Sequence, residues 1–309
     1  MQYRMFFRRP KNKKYIFKYV VLAFLTLLVL FLILTLLTTD RSVSVAVVSP
    51  LKPWGYNKER NVQRISAVRN SIYEDIYKGI LLPTKTFTVV DYGSDQGYFS
   101  INLAVMFPNA HVMSVELGGV GGEIWKKRGD VLVLQDKLIN EHDVGKRVQI
   151  CQTMIVPNHF TLLNNAGLGV DYQLVLSVFH WFDLKDKVSF QKVLVSLLQN
   201  ANIATFIELP VLGDDSAMIR KQVGYQNFKK WYEGTGGNIG KVIEEALLTH
   251  NLTARIVSIA KVPWINWYRE LYRVELLDVN SRKNLPFNCE KRREIYGCKK
   301  RTVHDKCTT

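Results

Sequence analysis

The spacing of apolar and polar positions after residue 57 follows two alternating periods. In residues 57–82 the apolar side chains recur at steps of three and four, which predicts an amphipathic helix ended by Pro83. A β-rich run at 86–91 comes next, then a glycine turn, a helical pattern that stops at Pro108, and a second strand at 112–115. Strand, helix and strand in this order predict one half of a doubly wound α/β sheet.

Predicted strands and helices continue to alternate through the rest of the central region, which ends in two consecutive strands. Apolar strand patterns are predicted at 147–154, 171–177, 203–209, 253–262 and 270–279. Helical patterns are predicted at 184–199, 216–232 and 239–250. The last two strands follow each other without a helix between them, so they are expected to close the sheet as an antiparallel pair. We therefore predict one α/β domain over residues 57–279.

The turn after the first predicted strand carries the candidate chemistry. It has two glycines, Gly93 and Gly97, with the spacing GxxxG, and the acid Asp91 stands two residues before the first. A dinucleotide fingerprint needs GxGxxG, with a helix N-terminus aimed at a pyrophosphate. A carboxylate at Asp91 would repel a pyrophosphate but suits a ligand with a cationic end. A second acid, Glu116, ends the second strand.

The stretch VVDYGSDQG resembles the first motif of class I S-adenosylmethionine-dependent methyltransferases, (V/L)(V/L)DxGxxxG, at every fixed position. The resemblance implies a Rossmann-like methyltransferase sheet with a closing antiparallel strand pair. It also implies that the loop passes under the methionine part of the cofactor and that Glu116 binds the ribose hydroxyls. The implied cofactor-binding residues are Asp91, Gly93, Ser94, Asp95, Gln96, Gly97, Glu116 and Ser177. The alternative is an ordinary βαβ unit with a tight glycine turn and a surface glutamate.

The segment after the fourth predicted strand is expected to flank the same crevice. In a doubly wound sheet, the ends of strands one and four border the switch point where ligands bind. This places Ser177, His180 and Trp181 near the transferred methyl group. His180 is a candidate general base, since a free imidazole titrates near pH ~6.5, or it forms a pocket wall with Trp181. Full turnover by a His180→Ala variant with a flat pH profile would remove the general-base role.

An uncharged apolar run extends from Tyr19 to Leu37. As a helix it would measure about 28 Å, close to the ~30 Å hydrocarbon core of a bilayer. Residues 1–18 hold seven cations and no acid, whereas Asp40 and Arg41 follow the run. We predict a basic cytoplasmic tail at 1–18, a signal anchor of a single-pass type II membrane protein at 19–38, and a stem at 39–56. A buried helix and a cleaved signal peptide are the alternatives.

Charge and cysteine placement limit the partners. The net charge is +15, but residues 282–306 hold nine cations against three acids, so the part between the two basic ends is nearly neutral. The central domain therefore gives no indication of nucleic-acid binding. Residues 280–309 form a basic tail with Cys289, Cys298 and Cys307 and no histidine at ligand spacing, so no metal is expected. One disulfide with a leftover thiol, or a disordered tail, is expected there, and Cys151 is expected to be a buried thiol.

The predicted topology puts the catalytic domain in the lumen of the Golgi or the endoplasmic reticulum, with a cytoplasmic domain as the alternative. The sequon Asn251-Leu252-Thr253 has meaning only in the lumen. A lumenal enzyme of this kind needs imported S-adenosylmethionine. The predicted function is methyl transfer from this cofactor to an unidentified acceptor. The alternative is a membrane-tethered binding module that kept the fold and lost the activity.

Overall fold

The computed structural model describes residues 24–29, 48–54, 58–118, 131–182, 184, 186–211, 230–264, 267–277, 285–299 and 307. The chain forms two compact units, Met1–Ala46 and Val47–Thr309. Of the predicted anchor, only residues 24–29 are described, and they are helical. Among the described residues, none of the helices has both the length and the apolar character needed to cross a membrane. Most of the predicted helix at 216–232 lies outside the described residues.

Seven strands form one mixed sheet in the order β3-β2-β1-β4-β5-β7-β6. Strands β1 to β5 pair in parallel, and β7 runs antiparallel to both β5 and β6. The strands are β1 Phe87–Tyr92, β2 Ala110–Glu116, β3 Val148–Gln152, β4 Val170–Val175, β5 Ala201–Ile207, β6 Ala254–Trp264 and β7 Trp267–Leu276. The predicted Rossmann-like sheet with a closing antiparallel pair is confirmed.

Seven helices of the second unit have described bounds. They are α1 Lys58–Tyr77, α2 Tyr98–Met106, α3 Val131–Glu141, α4 Pro157–Asn165, α5 Lys187–Leu198, α6 Ile239–Leu248 and α7 Cys289–Tyr296. The predicted apolar stripe of α1 is confirmed in its middle, where Ile65, Val68 and Ile72 are fully buried, but Ile80, an apolar residue near the end of the predicted helix, is 51% exposed. The helix ends earlier than predicted, at Tyr77 rather than before Pro83, and Gly79 follows in the left-handed region at φ 70°.

The hairpin of β6 and β7 is longer than predicted. The predicted connection at 263–269 lies mostly within the strands, since Pro263 pairs with Tyr268 and Trp264 with Trp267. Pro263 suggested a loop because proline cannot donate to a strand ladder. It is tolerated here because β6 is an outer strand of the sheet, with a partner on one side.

The described part of the predicted basic tail is folded onto the domain. Helix α7 lies beside the end of β3, where Gln152 forms an isolated bridge with Lys299. Disulfides join Cys151 to Cys298 and Cys289 to Cys307, with Cα–Cα distances of 5.1 and 5.8 Å. The prediction of one disulfide with a leftover thiol is therefore wrong, and Cys151 is not a free thiol. Spacing within the tail could not reveal its partner, because Cys151 is 147 residues away from Cys298.

Candidate functional site

The glycine loop leaves the carboxyl end of β1 and turns sharply into α2. Gly93, Asp95 and Gly97 all have left-handed backbones, with φ of 68°, 49° and 75°. The N–H groups of Gly93 and Ser94 both donate to the carbonyl of Val115, at 2.8 and 3.2 Å. These bonds fasten the start of the loop to β2, the strand that ends in Glu116.

Gly93 and Gly97 must be glycine for two reasons: their φ angles are left-handed, and neighbouring side chains leave no room for a Cβ atom. A Cβ atom at Gly93 would lie 2.4 Å from Cγ2 of Val178, in the segment after β4. A Cβ atom at Gly97 would lie 2.6 Å from Nε2 of Gln135, on α3. The loop is thus held between two other elements, and any side chain at these positions would push one of them away.

Glu116 is brought to the loop, as its position at the end of β2 predicted. Its Oε2 accepts a hydrogen bond from the N–H of Asp95 at 2.8 Å, and its Oε1 accepts one from Gly118 at 3.2 Å. Burial raises the pKa of Glu116, while these backbone bonds oppose the rise. The carboxylate therefore stands at the loop with its orientation set by two backbone donors.

Asp91 lies beneath the loop with only 2% of its surface exposed. The hydroxyl of Ser100 donates to its Oδ2 at 2.6 Å. Burial raises the pKa of Asp91 to about 7, and the nearby charge of Glu116 acts in the same direction. Among the described residues, no lysine or arginine forms an ion pair with either carboxylate. Two acids in this setting favour a cationic ligand and oppose a pyrophosphate.

Asp91→Asn is expected to stabilise the fold in a pH-dependent way. The pKa of Asp91 is raised on folding, so its contribution to stability is complete below pH 3.8 and is lost as the pH rises through about 7. Asparagine carries no such penalty, and the stability advantage of the variant should grow by about 3 kcal/mol between roughly pH 5 and pH 8. Urea unfolding of both proteins at the two pH values checks this. An equal advantage at both would show that Asp91 does not titrate in this range.

Two other loop residues, Ser94 and Gln96, form hydrogen bonds with neighbouring parts of the fold. Ser94 accepts a hydrogen bond from the Ser114 hydroxyl at 2.6 Å, and Gln135 donates to Ser114 in turn. The Ser94 side chain thus points into the sheet, although the resemblance placed it among the cofactor residues. The carbonyl of Gln96 accepts a hydrogen bond from the indole N–H of Trp54 at 3.3 Å. Gln135 was missed because the pattern around α3 is only weakly helical.

Ser177 belongs to a buried polar cluster at the ends of β4 and β5. Its hydroxyl donates to Glu208 Oε2 at 2.5 Å and accepts from Arg269 at 3.0 Å. Arg64 donates to both oxygens of Glu208, each at 2.9 Å. Glu208, which follows β5, is 1% exposed and is therefore a buried member of this cluster. The two arginines could not be assigned to this cluster from the sequence, because each lies far from Glu208 along the chain.

The turn after Ser177 is the 3-10 helix Phe179–Trp181, which lies at the same edge of the sheet. Trp181 is 46% exposed. The backbone of His180 lies in this turn, and its role as a general base stays a prediction.

At the end of β3, Gln152 pairs in register with Glu116. Its Oε1 is buried without a hydrogen-bond partner among the described residues, which leaves an acceptor beside the ribose candidate.

No protein-family model matches the sequence, and no curated protein matches it. Similar solved structures include monomeric WbdD, with 17% identity and a TM-score of 0.45 over 69% of this chain. The chain spans 41% of the length of that protein. Magnesium protoporphyrin IX methyltransferase from Synechocystis PCC 6803 with bound SAH has 14% identity and a TM-score of 0.42, over 77% of this chain and 94% of that one. Precorrin-6y C5,15-methyltransferase from Geobacter metallireducens GS-15 has 10% identity and a TM-score of 0.37, over 76% and 98%.

Proposed function

We propose that this chain is a class I S-adenosylmethionine-dependent methyltransferase. The observation that carries the proposal is the convergence of the glycine loop with two acids, Asp91 and Glu116. Neither acid has an ion-pair partner among the described residues. A ligand with an ammonium and a sulfonium group would supply the missing positive charge, whereas a dinucleotide would add negative charge.

Three parts of the candidate site fit the cofactor. The glycine loop offers close backbone approach for the methionine part, since Gly93 is exposed at the crevice. Glu116 can accept hydrogen bonds from the ribose hydroxyls. Gln152 Oε1 offers a buried acceptor at the next strand end, suited to an N–H of the adenine. When bound, the cofactor supplies an electrophilic methyl group on a sulfonium centre.

The residues after β4 are proposed to receive the acceptor. Ser177 is held by Glu208 and Arg269, which fixes the chain where His180 and Trp181 follow. Methyl transfer depends mainly on the orientation of the nucleophile, and a general base is needed only when the acceptor must lose a proton. His180 is the candidate for that proton, and Trp181 is the candidate for a pocket wall.

The alternative function is a binding module without activity. The two are separated by incubating the full-length protein with methyl-labelled S-adenosylmethionine and fractions of a cell extract. We expect labelled product together with an equal amount of S-adenosylhomocysteine. Cofactor binding without label transfer to any fraction would favour the module, and transfer that persists in Glu116→Ala at the wild-type rate would count against the proposed site.

We further propose that residues 19–38 anchor the protein in the membrane and that the domain lies in the lumen. The two disulfides support this placement, because disulfides persist in oxidising compartments and are rare in the cytosol. Asn251 supports it too: it is exposed in the turn between α6 and β6, with φ 54°. Because β6 runs parallel to β5, this turn lies at the sheet edge opposite the candidate site.

Glycosylation of Asn251 is expected if the domain is lumenal. The protein from a secretory host should migrate faster in gel electrophoresis after glycosidase treatment, because it loses one bulky N-linked glycan. Asn251→Gln should migrate with the deglycosylated protein, and cofactor binding should not depend on the glycan. An unmodified protein whose domain is digested by protease added outside sealed microsomes would place the domain in the cytosol.

A further inference from the structure

Residues 51–54, which precede α1, pack on the start of α2. The N–H of Leu51 donates to Oδ1 of Asn102 at 2.7 Å, and the hydroxyl of Tyr98 donates to the carbonyl of Leu51 at 3.2 Å. Asn102 and Tyr98 are 0% and 3% exposed. This part of the predicted stem is therefore joined by hydrogen bonds to the helix that the glycine loop begins.

Trp54 extends these contacts to the loop itself. Its indole N–H donates to the carbonyl of Gln96 at 3.3 Å. Its ring meets Tyr98 edge to face, with centroids 4.8 Å apart, and stacks on His142 at 5.9 Å with an interplanar angle of 15°. His142 follows directly after α3, the helix whose Gln135 packs on Gly97. One side chain thus connects the loop, α2 and the end of α3.

We infer that Trp54 is a positioning residue for the cofactor loop, an inference that rests on the proposed function. Gln96 follows Asp95, whose N–H holds Glu116 and whose φ is 49°. A left-handed backbone at a residue other than glycine persists only when its surroundings impose it, at a cost of about 1 kcal/mol. The indole N–H bonds to the carbonyl of Gln96, so it restrains the loop directly after this strained residue. Trp54 thereby keeps the Asp95 N–H directed at Glu116.

The test compares tryptophan with phenylalanine, which keeps the ring contacts and removes the N–H donor. In calorimetric titrations of S-adenosylhomocysteine into the full-length protein, Trp54→Phe should weaken binding by about 3- to 10-fold, the range for one hydrogen bond. His142→Ala, which removes the stacking partner, should weaken binding by about 2-fold. In turnover assays the loss should raise the KM for the cofactor and leave kcat nearly unchanged.

Trp231→Phe is the matched control. Trp231 is buried and packs on Phe190, with ring centroids 5.4 Å apart, and it has no contact with the glycine loop among the contacts described. It should lower the melting temperature without changing affinity. Wild-type affinity in both Trp54→Phe and His142→Ala would overturn the positioning role and leave the proposed function standing. Absence of binding by the wild-type protein would overturn the proposed function, and this inference with it.

Discussion

Gly93→Ala is expected to weaken S-adenosylhomocysteine binding by about 100-fold. The backbone of Gly93 has φ 68°, where an alanine is strained by roughly 1–2 kcal/mol. The new Cβ would also lie 2.4 Å from Val178 Cγ2, and relieving an overlap of this kind costs roughly 1–3 kcal/mol. Together these terms correspond to roughly 30-fold or more in affinity if the bound loop must keep its shape. Calorimetric titration of the variant measures the loss.

Two further variants separate strain from overlap. Gly79 has φ 70°, but a Cβ atom added there would meet nothing within 4 Å, so Gly79→Ala should lose about 1 kcal/mol of stability and no affinity. Val178→Ala removes the overlapping methyl group, so the Gly93→Ala, Val178→Ala double variant should recover about 10-fold of the lost affinity. A double variant no better than Gly93→Ala would show that Val178 is not the obstacle. Wild-type affinity of Gly93→Ala would show that the glycine loop is not part of the cofactor-binding site.

Asp75→Ala is expected to lower the free energy of unfolding by about 3–5 kcal/mol, the range for breaking a buried ion pair. Asp75 is 2% exposed, and its two oxygens accept from Nη1 and Nη2 of Arg273, each at 2.8 Å. The hydroxyl of Tyr172 also donates to Asp75, at 2.7 Å. The variant leaves a buried guanidinium with only part of its hydrogen bonds and a buried hydroxyl without its acceptor. Urea unfolding measures the loss.

The preceding residue of α1 supplies the control. Glu74 pairs with Lys78 at 2.6 Å, but the glutamate side chain is 58% exposed. Exposed pairs of this type contribute roughly 0.3–0.5 kcal/mol, so Glu74→Ala should change stability by no more than that. Equal losses in the two variants would mean that the Asp75–Arg273 pair does not hold α1 on the sheet. Because the pair is remote from the glycine loop, the Asp75 variant should keep its cofactor affinity wherever it remains folded.

The parts of the site that the sequence predicted are those set by local pattern and sheet order. Alternating apolar residues marked the strands, and the carboxyl ends of neighbouring parallel strands meet at one edge. For that reason Asp91, Glu116 and Ser177 could be assigned to one crevice before their contacts were known. The glycines were predictable as well, since a tight turn between strand and helix requires left-handed residues.

The parts that could not be predicted are polar contacts between distant segments. Arg64 lies 144 residues from Glu208 and Trp54 lies 42 residues from Gln96. Periodicity indicates which face of a helix is buried. It does not indicate which residue across the sheet forms an ion pair with a buried charged side chain on that helix. Arg64 and Asp75 interrupt the apolar pattern of α1 and would be assigned to solvent by composition, yet both are buried in ion pairs. The folding of the basic tail onto the domain could not be predicted either, because the disulfide partner of Cys298 is the distant Cys151 on β3.

Cofactor binding at the loop and Glu116 is tested most directly by calorimetric titration of the wild-type protein and Glu116→Ala with S-adenosylhomocysteine and with NAD. The wild-type protein should bind one equivalent of S-adenosylhomocysteine and no NAD. Glu116→Ala should lose roughly 1.5–3 kcal/mol of binding free energy, the range for hydrogen bonds to a charged group. Binding of NAD, or unchanged affinity of Glu116→Ala for S-adenosylhomocysteine, would contradict the proposed site.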